Sequence, residues 1–345
     1  MSLARTAYSL IIVIATVVIL IYLKEILIPF ILAVIIWFII REVQTQTRKL
    51  HIGERRIPQW LSGVISFVLI FAVLGTVVNL LVVNIKGIST VLPTYEQNLS
   101  KVIDTIDSEL GIDVLYQVRE WSGSFDFTEI ISIVINSITT LIGSAFLILI
   151  YVIFMMLEQR FFRLKFSSLY SEEKKRERAN NILDEIDQSL SRYVALKTVV
   201  SLITGVASYI AMEIIGVDFA FFWAFLIFIL NYIPNIGSLI ATLFPTLIAA
   251  IQFGDLTPAL YVLIAVGLIQ VVVGNVLEPR LFGNSLNISS LVVILSLAFW
   301  GAIWGVVGMI LSVPITVMLI LTFAQFDETR GISILLSDKG MLDRD

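Results

Sequence analysis

Apolar residues run along this chain in blocks, and the spacing of the blocks changes halfway. Ala7–Leu23 and Ile26–Ile40, separated only by Lys24-Glu25, predict a helical hairpin, and Pro29 sits where the first turn of the second helix accepts it. Further blocks at about Trp60–Val83 and Ile130–Leu157 predict two more spanning helices. Between them, Ile88, Val91, Leu92, Tyr95, Leu99, Val102, Ile103, Ile106 and Leu110 recur at spacings of three and four. They form one apolar stripe on a helix whose other faces carry Asp104, Asp107 and Glu109. Such a stripe suits a helix lying on lipid or one packed against a neighbouring subunit. A second amphipathic helix starts near Ser171-Glu172-Glu173 and carries Ile182, Leu183, Ile186, Leu190, Tyr193 and Val194 into a span beginning near Lys197. It reads as an elbow between soluble residues and the membrane bundle, and the charges of Glu172–Arg178 read as its solvated face.

Beyond Lys197 the blocks are interrupted. Lys197–Ile215 is followed by Phe219–Leu230, too short to span a bilayer by itself, which stops at Asn231-Tyr232-Ile233-Pro234-Asn235-Ile236-Gly237-Ser238. Leu239–Phe253 carries Pro245 in its middle; Pro258–Val273 follows; Ser290–Trp300 is broken at Gly301, Gly305 and Gly308; Met309–Phe323 carries Pro314. Irregular backbone at membrane depth persists only where protein or a water-filled cavity covers it. Two Gly/Pro-broken pairs in corresponding positions are the pattern of a secondary transporter's binding region. Here Phe221-Phe222-Trp223 precedes Gly237-Ser238 and Pro245, while Phe299-Trp300 precedes Gly308 and Pro314. The similarity of the two pairs suits an internal repeat or chance likeness between apolar stretches.

Composition fixes the solvent. The chain is 58% hydrophobic and 14% charged with mean hydropathy +0.96, against roughly 25% charged in soluble domains. The expected fold is an all-α polytopic membrane protein of about eight embedded helices, with broken helices or helical hairpins in the C-terminal half. The first block is followed at once by a second and has no small-residue cleavage site, so it reads as a retained span. Lys and Arg then set the orientation. Residues 41–58 and 158–197 are rich in them, the latter with nine, whereas 84–130 holds three against eight acids. By the positive-inside rule the N-terminus and the two basic loops are cytoplasmic and 84–130 is outside. The segments are thus 1–83 (N-terminal transmembrane helices), 84–130 (extracytoplasmic amphipathic segment), 131–157 (transmembrane helix), 158–196 (cytoplasmic linker helix), 197–326 (transport core) and 327–345 (tail).

Chemistry narrows the class. With no Cys and only His51, thiolate chemistry, His-rich metal sites and an intramembrane Ser-His pair are not encoded. There is no phosphate-binding Gly-x-x-x-x-Gly-Lys-Ser/Thr run, and Asp218 and Asp255 lie outside the deep part of any span. A net charge of −4 gives no reason to expect a nucleic-acid partner. A carrier is therefore expected rather than an enzyme, with no cofactor and no metal. Between Asp255 and Asp327 the only charges are Glu278 and Arg280, in Gly274-Asn275-Val276-Leu277-Glu278-Pro279-Arg280-Leu281-Phe282-Gly283-Asn284, with Asn287 nearby. This stretch is either a tight cytoplasmic turn with a surface ion pair or a broken-helix site, since Pro279 removes a backbone donor. The candidate transport path is Asn231, Pro234, Asn235, Gly237, Ser238, Asn275, Glu278, Pro279 and Arg280. Its amides and freed carbonyls suit a small polyhydroxylated solute, or else act as interhelical glue. Glu278 pairs with Arg280 or binds a coupling ion, for which Glu213 is the other candidate. A non-transporting scaffold built on the amphipathic segments is the remaining alternative.

Several of these pieces resemble the autoinducer-2 exporter family: Asn231–Ser238, Gly274–Arg280, Leu311-Ser312-Val313-Pro314, the tail Ile332–Asp338, Leu157-Glu158 and Leu196-Lys197-Thr198. The likeness covers nearly the whole chain and is weakest over 84–130. It implies an inner-membrane homo-oligomer, with a pentamer among the forms it allows, that exports the small sugar-derived quorum-sensing signal autoinducer-2. Other members resemble sodium/proton antiporters, which keeps a cation as the alternative cargo.

Overall fold

The computed structural model describes residues 3–49, 51–52, 55–110, 136, 139–140, 143–169, 172–282, 288–324 and 329–338. Asn284, Asn287, most of the acidic loop beyond residue 110, the start of the expected fourth span and the side chains of Asp104, Asp107 and Glu109 lie outside the described residues. The helices are α1 (Leu3–Tyr22), α2 (Lys24–Thr47), α3 (Gln59–Leu110), α4 (Ala145–Ser168), α5 (Glu173–Ile215), α6 (Ala220–Leu230), α7 (Ile236–Phe253), α8 (Leu256–Val272), α9 (Glu278–Phe282), α10 (Ser290–Ala324) and α11 (Arg330–Leu336). A π-helical turn, Val273–Leu277, joins α8 to α9. A two-residue ribbon, His51–Ile52 against Arg55–Arg56, turns the chain between α2 and α3. Among the described residues, six segments are long and apolar enough to cross a bilayer: Lys24–Thr47, Gln59–Ile88, Asn180–Ile215, Ile236–Phe253, Leu256–Phe282 and Ser290–Ala324. Shorter apolar helices at Leu10–Tyr22, Ala145–Gln159 and Ala220–Leu230 accompany them. The expected all-α polytopic class is what the chain adopts.

The chain divides into two compact units, Met1–Phe67 with Ser144–Leu196 and Phe282–Asp345, and Val68–Gly143 with Lys197–Leu281. In the first unit α2 packs along α4, and Phe30 meets Tyr151 edge-on at 5.6 Å. Trp300, Trp304, Leu311 and Ile315 of α10 form an apolar core against Leu20, Leu27 and Ile31 of α1 and α2. The Trp304 indole donates to the Leu20 carbonyl at 2.9 Å, capping one of the carbonyls orphaned where α1 ends. Arg41 forms a two-pronged salt bridge with Asp187, one contact at 3.1 Å, and its guanidinium lies 4.8 Å from the Trp37 ring centre. That pair ties the end of α2 to the part of α5 that precedes Lys197. Helix α10 is broken at Gly305, whose φ of 62° and ψ of −143° only glycine adopts readily. The tail folds back, with Ser333 Oγ donating to the Ile320 carbonyl at 2.9 Å.

In the second unit α7 packs along α8, and α6 against α7. The outer part of α3 belongs here. Three residues of its stripe, Ile88, Tyr95 and Val102, one heptad apart, are buried within this unit. Tyr95 donates to Asp218 at 3.0 Å and Asn98 to the Gln252 carbonyl at 3.0 Å. Gln252 in turn accepts from the Asp218 N–H at 2.7 Å and donates to the Gly216 carbonyl at 2.8 Å. Burial, then the Asp218 carboxylate, raise the Tyr95 phenol well above its ordinary range, so it stays a donor. Four side chains thus staple the α5–α6 and α7–α8 connections to α3.

Candidate functional site

Helix α5 enters the second unit at Lys197, and its first turn and a half gathers the polar groups. Lys197 and Ser201 lie one turn apart on the same face, with Thr198 beside them. The Lys197 side chain is 6% exposed and its Nζ donates to Glu278 Oε1 at 2.5 Å, while the Glu278 side chain keeps 29% of its exposure. Asn231 donates from Nδ2 to Ser201 Oγ at 3.0 Å, with both residues buried. The Tyr232 and Thr198 hydroxyls are bonded at 2.8 Å. Lys197, Thr198 and Ser201 therefore hold three residues that lie far along the chain, from two separate helix interruptions.

Each interruption has a local cause. At the first, α6 ends at Leu230 and α7 starts at Ile236. Asn235 occupies φ 58°, ψ −55°, the strained centre of a γ-turn closed by the Ile236 N–H donating to the Pro234 carbonyl at 2.6 Å. Gly237 closes the turn: a Cβ built there would lie 1.9 Å from the Leu230 carbonyl oxygen, which no side chain could share. Ser238 Oγ returns a bond to the Asn235 carbonyl at 2.9 Å. At the second, the ring of Pro279 crowds the carbonyl four residues back and offers no N–H. The helix answers by widening: the Glu278 N–H reaches Val273, five residues back. Widened turns of this kind concentrate at functional sites.

These positions sort the candidate residues. Asn231 and Glu278 meet at α5. Gly237 and Pro279 act on the backbone that presents them, while Pro234 is half-buried in the loop between α6 and α7 and Ser238 is half-buried at the start of α7. Asn235, Asn275 and Arg280 are exposed. Glu213 is exposed too, and sits about 24 Å from Lys197 along α5 at 1.5 Å per residue. The expected Glu278–Arg280 pair does not form, because helical side chains two apart point away from one another; the partner of Glu278 is Lys197. Sequence pattern marks none of Lys197, Thr198, Ser201 or Tyr232 as site residues. A signal was present, since Lys197 is the only basic residue between Arg192 and Arg280, at the mouth of an apolar block.

Chemically, the cluster offers an ammonium, a carboxylate, an amide and three hydroxyls in apolar surroundings. It can donate and accept hydrogen bonds while its formal charges cancel. Asn231→Ala is expected to cost about 1–2 kcal/mol, since it removes one bond but leaves the small Ser201 hydroxyl able to turn elsewhere. Thermal unfolding of the purified variant measures this; an unchanged melting temperature would show that the bond adds nothing.

The sequence profile of the AI-2E family transporter matches residues 10–327. The chain is 36% identical over 327 residues to the AI-2 transport protein TqsA of Escherichia coli K12, covering 91% of this chain and 90% of that protein. It is 33% identical over 324 residues to a Haemophilus influenzae protein, covering 91% and 90%. A Borreliella burgdorferi protein is 27% identical over 317 residues, covering 91% and 85%.

Proposed function

We propose that this chain, which belongs to the AI-2E family of transporters, exports a small polar signalling molecule of the autoinducer-2 type across the bacterial inner membrane. The observation that carries the proposal is the Lys197–Glu278 pair, with its lysine buried and its carboxylate partly exposed, set where two helix interruptions meet one continuous helix. A site with cancelling charges and hydroxyl and amide neighbours recognises a polyhydroxylated solute through hydrogen bonds without demanding that the solute carry charge. The similarity to a protein named for AI-2 transport supports the same cargo.

The proposal includes a homo-oligomer, with five subunits as the form the family resemblance suggests, and a cytoplasmic N-terminus on the strength of the basic loops. The direction of transport depends on that orientation, which thiol labelling at position 174 from either side of the membrane reads directly. Sodium or lithium exchange for protons is the second reading. What favours it is Glu278, a partly exposed carboxylate beside a proline-disrupted turn whose backbone carbonyls are hard ligands for such ions.

One experiment separates the two. Vesicles reconstituted with the protein are loaded with autoinducer-2 or with sodium, and the loss of each is followed. Protein-dependent loss of autoinducer-2, with no protein-dependent exchange of sodium for protons, is expected. Sodium-for-proton exchange with no movement of autoinducer-2 would replace the exporter reading by the antiporter one.

A further inference from the structure

The Lys197–Glu278 site uses only the start of α5 within the second unit, yet the polar face of that helix continues. Ser201, Thr204 and Ser208 are all fully buried, with Gly205 among them, whereas Leu202, Val206 and Ile210 point out of the chain at about half exposure. Spacings of three and four put the first set on one stripe. Thr204 is satisfied by the Val200 carbonyl at 2.8 Å. Ser208 Oγ has no protein partner among the described residues, and neither have Trp223 Nε1 on α6 and Gln270 Nε2 on α8. An unpaired buried donor costs about 1–3 kcal/mol, so three in one unit call for an explanation beyond packing.

Register places Ser208 against α6. A Cβ on Gly205 would lie 3.2 Å from the Ala224 carbonyl, and Tyr209 meets the Phe221 ring at 6.5 Å. Ser208 is therefore level with the Phe221–Ala224 turn of α6, whose Trp223 ring turns the other way to stack on Phe244 of α7 at 6.4 Å. Further along, the same seam ends at the Gly216–Phe219 connection. There Phe219 is held at φ 56°, and Gly87 leaves no room for a Cβ beside its ring, which would come within 2.5 Å. Strained residues held in place by their surroundings concentrate at switch regions.

We infer that the seam between α5 and α6 is the solute's path onward from the Lys197–Glu278 site, with Ser208 as its next hydrogen-bonding position and the connection at Asp218 as its far end. The cargo in this inference rests on the function proposed above; the path does not. The seam is closed here, with the Ala224 carbonyl against Gly205, so passage requires α6 to part from α5. The competing account is that small residues simply let two helices approach closely, as they do in many membrane bundles. In that case Ser208 stays sealed.

The chain has no cysteine, so single thiols report without background. Full-length protein in vesicles carrying Ser201→Cys, Ser208→Cys, Val206→Cys or Glu173→Cys is treated with a charged, membrane-impermeant methanethiosulfonate, and Thr204→Cys serves as the second seam probe should Ser208→Cys fold poorly. Ser201→Cys and the seam thiols are expected to react at about 0.1–10% of the rate of the exposed Glu173→Cys, the population of a minor open state. Val206→Cys, facing lipid, is expected to stay unreactive, and autoinducer-2 is expected to slow the seam thiols. Reaction at Ser201→Cys with none at either Ser208→Cys or Thr204→Cys would overturn the path while leaving the site and its function standing. Reaction along the seam that autoinducer-2 does not slow supports the path and instead counts against the cargo.

Discussion

Gly237→Ala is expected to destroy the break between α6 and α7 rather than loosen it. The added methyl would sit 1.9 Å from the Leu230 carbonyl oxygen. That neighbour is backbone, which cannot swing aside as a side-chain tip can. Overpacking in a core usually costs about 1–3 kcal/mol when side chains yield, and a backbone clash belongs above that range. Gly308→Ala meets the same obstacle in the first unit, 1.9 Å from the Trp300 carbonyl oxygen. Gly274→Ala provides the control, because nothing lies within 4 Å of its Cβ position and its backbone is helical. Yield of folded protein and its melting temperature should fall sharply for the first two and stay near the parent for the third. A parent-like Gly237→Ala would mean that the chain does not turn back on itself at 231–237.

Glu278→Gln and Lys197→Met are expected to be unequal, although they break the same bond. Removing the carboxylate strands a lysine side chain that is only 6% exposed, and losing one partner of a buried pair costs about 3–5 kcal/mol. Removing the lysine leaves a carboxylate that retains 29% exposure and can recruit water, so about 1–3 kcal/mol is the fitting range. The double variant should recover most of the loss, because no charge is left stranded, and the cycle should show a coupling of a size that separated, independent sites never show. Arg280→Gln should stay within about 0.5 kcal/mol, as exposed substitutions do. Chemical or thermal unfolding of the four proteins checks the set, and strictly additive effects would reduce the pair to an incidental contact.

The residues differ in how much of this they announce. Block length and composition declare a polytopic helical protein, and the run from Asn231 to Ser238 declares a broken helix, because Pro, Asn and Gly act on the backbone next to them. Gly305 was one of three glycines that could have broken α10, and only its left-handed φ picks it out. Pro279 announces a disturbance at 274–280, but not that the helix survives by widening to a π turn. Partners are the least legible. Glu278 has Arg280 two positions away and Lys197 eighty-one positions away, and helical geometry selects the distant one. The stripe on α3 shows the reverse difficulty: periodicity reveals an apolar face at Ile88, Tyr95 and Val102, yet it cannot say that the chain's own connections at Asp218 and Gln252 cover it.

The most direct test of the central claim separates folding from transport at the ion pair. The Lys197→Met/Glu278→Gln double variant is reconstituted beside the parent, its folded fraction is counted, and loss of autoinducer-2 from loaded vesicles is expressed per folded protomer. If the pair and its neighbours bind the solute, the double variant folds nearly as well as the parent but moves autoinducer-2 far more slowly. A double variant that folds and exports at the parent's specific rate would contradict the claim and leave Lys197 and Glu278 as a structural tie between two helices.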